Sequence, residues 1–156
     1  MGAKRRGKTK GSPPGRTNRP KVAATSNPEV LDEKPQFCFQ YVDKWAKGAY
    51  GYSFGQNDAE TVLDFLADRS RETWRTILSH RDSNGQKHHS HHVSDMPNGS
   101  RRDYERLDLD KFCGGELFRF RLGSTRRLWG FRADHMFHVV WWDPDHKVYP
   151  SEPKNT

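Results

Sequence analysis

Polar and apolar residues alternate with a period of two along 116–122. Leu117, Arg119 and Arg121 fall on one face of an extended chain, and Phe118, Phe120 and Leu122 on the other. Gly123-Ser124 then marks a hairpin turn, since glycine tolerates the positive φ that tight turns need. A second strand runs over 126–132, with Arg127, Trp129 and Phe131 on one face and Arg126, Leu128, Gly130 and Arg132 on the other. Ala133-Asp134-His135 is the next turn candidate. The run 136–142 is apolar at every position but His138, which predicts a strand covered on both faces and therefore central. Asp143-Pro144 ends it, because proline has no N–H for the ladder.

Elsewhere the period changes. Val62, Leu63, Leu66, Trp74, Ile77 and Leu78 recur at helical spacing and predict a helical region over 58–79, broken near Ser70, with Asn57 as its cap. Phe37, Phe39 and Tyr41 alternate with polar residues and predict a strand over 36–42, with a short pairing strand at 51–54. Residues 81–99 are polar and turn-rich, and 100–107 suit a short helix with Tyr104 and Leu107 facing in. The expected architecture is a single α+β domain over 36–150. Its antiparallel sheet of four to five strands carries one main helix packed on one face.

Charge divides the chain. Residues 1–28 hold eight of the 27 basic side chains and no acid, which leaves 19 basic against 20 acidic residues in the rest. With no aromatic residue in 1–35, that segment cannot bury enough apolar surface to offset the entropy of ordering. It is expected to be a disordered basic arm, and 151–156 a short tail. Cys38 and Cys113 are far apart and form no CxxC, so two reduced thiols are expected. No apolar run approaches the roughly 20 residues of a membrane helix and no secretory signal is present, so no membrane contact and a cytoplasmic location are expected. No cofactor motif is seen, and none is expected.

Three constellations carry candidate chemistry. The first is His88-His89-Ser90-His91-His92, whose imidazoles suit zinc or nickel; nothing in the spacing supplies further ligands, and no metal site is assigned. The second is the set Arg119, Arg121, Arg126, Arg127 and Arg132, interleaved with aromatics as in RNA-binding surfaces. Alternation sends Arg127 and Arg132 to opposite faces. The competing reading pairs these arginines with acids of the first helix and of 108–110. The third is 143–149, where Asp143, Asp145, His146, Lys147 and Tyr149 gather just after the central strand. Metal-free RNA cleavage needs a base, an acid and a cation, roles open to His146, Tyr149 and Arg127. The competing reading makes Asp143 a turn cap.

RLWGFR followed by FHVVWWDPDHKVYP resembles a set of small uncharacterised bacterial proteins with an Arg-Leu-Trp-Gly strand and a terminal Trp-Trp-Asp-Pro-x-His. More distantly, the strand 117–123 and the arginine-bearing strand after it are similar to those of the RelE/ParE toxin superfamily, whose members cleave mRNA on the ribosome or poison gyrase. That resemblance implies a toxin-type protein acting on RNA, a metal-independent endoribonuclease. Its partners would be RNA or the ribosome and an antitoxin. Arg119, Arg121, Arg127 and Arg132 would bind nucleic acid, and His146, Tyr149 and Arg127 would be catalytic. The alternative is a non-enzymatic module that binds nucleic acid or protein, using the basic arm.

Overall fold

The computed structural model describes residues 27–46 and 48–151. In chain order these form α1 (Pro28–Leu31), β1 (Gln36–Cys38), α2 (Gln56–Arg69), α3 (Trp74–Ser79), β2 (Arg81–Asp82), β3 (Gly85–Gln86) and β4 (His89–His92). A 3-10 turn (Val93–Asp95), α4 (Asn98–Arg106), α5 (Asp110–Cys113), β5 (Glu116–Arg121), β6 (Arg127–Ala133) and β7 (Met136–Asp143) follow. Five strands make one sheet in the order β1-β7-β6-β5-β4, and β2 and β3 pair separately. The fold is α+β, and the meander β5-β6-β7 follows the period-two pattern of 116–142. Asp134 and His135 alone join β6 to β7, with Asp134 at φ 53°, a conformation that aspartate tolerates in tight hairpins.

The sheet is mixed rather than wholly antiparallel. β1 runs parallel to β7, with Phe37 opposite Phe137, while the other pairs are antiparallel. β7 therefore lies inside the sheet, as its apolar run predicts. Helices cover both faces, not one. On the first face Val62, Leu66, Trp74 and Ile77 of α2 and α3 pack on Phe118, Phe120, Leu128 and Phe137. On the second, Met96, Tyr104 and Leu109 cover Leu117, Trp129, Phe131 and Trp141. The reason lies in β6 and β7, which present large aromatics to both sides, and each side must be shielded from water. A bulge sharpens this: Trp129 is opposite Trp141 but Gly130 is opposite Val139, so Val140 is the extra residue. Val140 and Trp141 thus both enter the second cluster.

The helical region breaks where expected, after Ser70, and Thr73 caps α3 by accepting a hydrogen bond from the Thr76 N–H at 3.3 Å. α2 begins slightly earlier than the pattern suggests, at Gln56 behind Gly55, so Asn57 sits in its first turn. Residues 1–26 of the expected arm, and 152–156 of the tail, lie outside the described residues. Residues 27–35 belong to the fold: Asn27 caps α1, Leu31 packs on the first cluster, and Asp32 pairs with Arg75. Cys38 and Cys113 are both free thiols. Among the described residues no helix is long and apolar enough to cross a membrane.

β1 is shorter than its pattern because the chain leaves the ladder after Cys38 to finish the edge of β7 in another way. The Asp43 N–H donates to the Val140 carbonyl, and Gly51 bridges Trp142, the only trace of the strand expected at 51–54. The Asp43 carboxylate is buried and accepts from Arg106 Nη2 at 2.6 Å, Trp141 Nε1 at 2.9 Å and the Trp45 N–H at 3.0 Å. Asp43→Ala would strand a buried indole N–H and remove the buried partner of Arg106. We expect a loss of about 2–4 kcal/mol, read as a lower urea midpoint; an unchanged midpoint would show that the loop is not held by this carboxylate.

Candidate anion-binding cleft

Strand register assembles the site. On the second face of the sheet Arg119 lies opposite Trp129, Arg121 opposite Arg127, and His89 of β4 opposite Arg119. Trp129 and Leu117 are covered from above, but toward Arg121 and Arg127 that cover ends and a cleft opens. Its volume is about 740 Å³, and His91, Arg119, Arg121, Arg127, His146 and Tyr149 line it.

β7 ends at Asp143, directly opposite Arg127. The Asp143 carboxylate is fully buried and accepts from the Lys147 N–H at 2.7 Å, the Val148 N–H at 2.9 Å and Trp129 Nε1 at 3.3 Å. Burial raises its pKa, against the pull of these three donors. The carboxylate thus folds the chain back on itself, which carries His146 and Tyr149 to the cleft. His146 is held at φ 57°, in the left-handed region that a β-carbon disfavours.

Arg119 is gripped by imidazoles instead of carboxylates. Its Nε donates to His91 Nε2 at 3.0 Å, and Nη2 lies 3.3 Å from His89 Nε2. His89 Nδ1 is 2.9 Å from the Gln86 carbonyl, which can only accept. The His89 proton therefore sits on Nδ1, and the Nε2 lone pair faces Arg119. Burial, with the neighbouring His89 and Arg119, pushes His91 down to about 3, and burial lowers His89 as well. Both rings are neutral ligands. Arg119 keeps its charge, and its Nη1 is buried with no hydrogen-bond acceptor.

Arg127 is also buried. Its Nη atoms cap the carbonyls of Gly123, Ser124 and Arg126, and its Nε has no acceptor. Burial first, and then the neighbouring guanidiniums, lower Arg119 and Arg127 to about 10, so both remain cationic at neutral pH. Among the described residues neither forms an ion pair, whereas Arg121 pairs with Asp82 beside the β2–β3 turn. His146 is pushed down to about 4 by burial and by Arg127, Arg119 and Arg121. Two under-coordinated cations and a neutral imidazole thus share one cleft, an arrangement suited to a tetrahedral oxyanion.

Of the residues singled out by sequence, the fold brings Arg119, Arg121, Arg127, His146 and Tyr149 together. Arg132 does not join them. It lies on the first face, with its guanidinium 4.1 Å above the Trp74 ring, as the odd–even alternation of β6 dictates. Arg126 shares that face and donates to Thr61 Oγ1 of α2. The acids expected to neutralise the arginines are engaged elsewhere: Asp68 holds Arg71 and Asp108 holds Lys111. Asp143 does cap the turn after the central strand, and in doing so it places His146.

The histidine segment separates instead of converging. His88 enters the first cluster, fully buried, where Nδ1 accepts from the Arg121 N–H at 3.1 Å. His89 and His91 hold Arg119, and His92 faces Glu116 at 3.4 Å. Among the described residues no group of three His, Cys, Asp or Glu side chains is arranged to hold a metal ion. The support of Arg119 by His89 and His91 is the functional feature that sequence reasoning missed. Their shared strand face was a signal, but their partner strand was not.

A pH dependence follows from these rings. Unfolded histidine titrates near 6.5, while burial holds His88 and His91 at about 3 and His146 at about 4. Between those values the unfolded chain binds more protons. Stability is therefore complete above about pH 6.5 and is lost as pH falls toward 4. Fully buried His88 alone should give a slope near ~1.4 kcal/mol per pH unit. Urea melts at pH 7, 5.5 and 4.5 check this, and midpoints that do not fall would mean that these imidazoles protonate in place.

Comparison with protein-family models, with curated proteins and with solved structures finds no match to this chain.

Proposed function

We propose that the cleft binds an RNA phosphodiester and cleaves it without a metal ion, as a toxin-type endoribonuclease comparable to the RelE/ParE proteins. One observation supports this above the others: Arg119 and Arg127, neither of which forms an ion pair among the described residues, line one cleft with the neutral His146. In this reaction His146 takes the proton from a ribose 2′-hydroxyl. The 2′-oxygen attacks phosphorus, the bond from phosphorus to the 5′-oxygen breaks, and a 2′,3′-cyclic phosphate forms. Tyr149 donates its hydroxyl proton to the departing 5′-oxygen. Arg119 and Arg127 stabilise the charge that gathers on the phosphoryl oxygens. The entering anion itself offsets the cationic field that depresses His146, and so raises the basicity of the ring when substrate is bound. On this reading the protein works in the cytoplasm on mRNA, free or on the ribosome, and an antitoxin shields the cleft.

A second reading keeps the anion site and drops the chemistry. The eight cations of residues 1–28 and the cleft would then grip nucleic acid together. Incubation of end-labelled RNA with the purified chain in excess chelator separates the two. Fragments ending in 2′,3′-cyclic phosphate are the expected result. RNA that is retained in a complex yet stays intact would replace the nuclease by the binding module.

A further inference from the structure

The cleft is larger than a phosphate group needs. Its volume of about 740 Å³ falls in the range that encloses a ligand of nucleotide size. Its lining is not all cationic: Met96, Pro97, Tyr149 and Pro150 also wall it. Tyr149 is half-buried and braced from behind: its ring meets His91 edge to face, centroids 4.9 Å apart at 69°, and His91 lies 5.5 Å from Trp129. The backbone under it is pinned on both sides of Val148, where Asp143 accepts from the N–H and Ser100 Oγ donates to the carbonyl. A braced ring over a partly open cleft is a stacking surface already in place.

Asp95 and Asn84 line the cleft as well. A carboxylate there repels a second phosphate but accepts from the amino and ring N–H edges of a base. We propose that the Tyr149 wall of the cleft is a nucleobase subsite. An unpaired base stacks on Tyr149 while the phosphate attached to its ribose sits on Arg119 and Arg127. The ligand class is a 3′-phosphorylated ribonucleoside, within a single strand or at its end. This rests on the phosphodiester reading above. It adds that the base, and not only the phosphate, is held.

Calorimetric titration of the full chain with inorganic phosphate and with the four nucleoside 3′-monophosphates tests it. At least one nucleotide should bind about tenfold or more tightly than phosphate, the scale of one base stacked on an aromatic ring. Tyr149→Ala should weaken that nucleotide about tenfold more than it weakens phosphate, so that the two ligands come to bind alike. Tyr149→Phe should keep the nucleotide advantage, since the ring and not the hydroxyl supplies it. Equal affinity for phosphate and all four nucleotides, or a loss shared equally by both ligands in Tyr149→Ala, would overturn the subsite and leave the anion site standing. Absence of binding to phosphate and nucleotides alike would overturn both.

Discussion

If the cleft cleaves RNA as proposed, His146→Asn should slow the reaction by about 10²–10⁴-fold, the usual contribution of a positioned acid–base group, with the fold intact. The choice of residue matters. His146 occupies a left-handed backbone conformation at φ 57°, where alanine would be strained but asparagine is well tolerated. The turn itself is secured from Asp143, through the Lys147 and Val148 N–H groups, and does not depend on the imidazole. Initial rates on a defined RNA, with thermal melts of both proteins, provide the measurement. A variant that melts like the native chain and retains more than about a tenth of its rate would remove His146 from the reaction. Arg127 is a poorer first target, because its guanidinium caps three carbonyls of the β5–β6 connection and its loss would mix folding with catalysis.

Gly130→Ala should prevent folding. A β-carbon at Gly130 would stand 2.0 Å from the His138 carbonyl oxygen and 2.7 Å from Phe137 Cζ. The first neighbour is the backbone of β7, so no side-chain rotation relieves the clash; β6 and β7 must separate at their bulge. Forcing them apart opens both apolar clusters, and a cost above about 4 kcal/mol is expected, against the ~5–15 kcal/mol that holds a typical domain. Gly55→Ala is the control, since nothing lies within 4 Å of its β-carbon position. Circular dichroism and soluble yield decide the matter. A Gly130→Ala chain that folds and melts near the native temperature would show that β6 and β7 do not approach so closely.

Much of this site is legible in strand parity. Alternation within 126–132 puts Arg127 with Trp129 and Phe131 and sends Arg132 to the other face, against its expected place among the binding arginines; that Arg119 and Arg121 share the face of Arg127 comes from the register of β5 on β6. The same parity held a warning that both faces need cover, because Trp129 and Phe131 oppose Leu128. The covering pieces are hard to see, since α4 reads NGSRRDYER and buries little beyond Ser100 and Tyr104. Pairings between distant segments are not local properties at all. Arg119 meets His91 across 28 residues and Trp141 meets Asp43 across 98. No spacing rule reports such a meeting, so neither the hold of His89 and His91 on Arg119 nor the burial of Asp43 could be read from the chain.

The position of β7 in the sheet has a kinetic side. It is the last strand in chain order and the one on which β1, β6 and both apolar clusters are built. Phe37 waits for Phe137, and Asp43 for Trp141, 98 residues on. Contacts so remote must meet the entropy of loop closure before they stabilise anything, and chains rich in them fold slowly. While residues 36–135 emerge during synthesis, Phe118, Phe120 and Leu128 lack the Phe137, Val139 and Trp142 that complete their cluster. Completion of the sheet therefore follows the synthesis of Asp143, and until then the nascent segment carries uncovered apolar surface and open strand edges, the features that make a partly folded chain prone to aggregate.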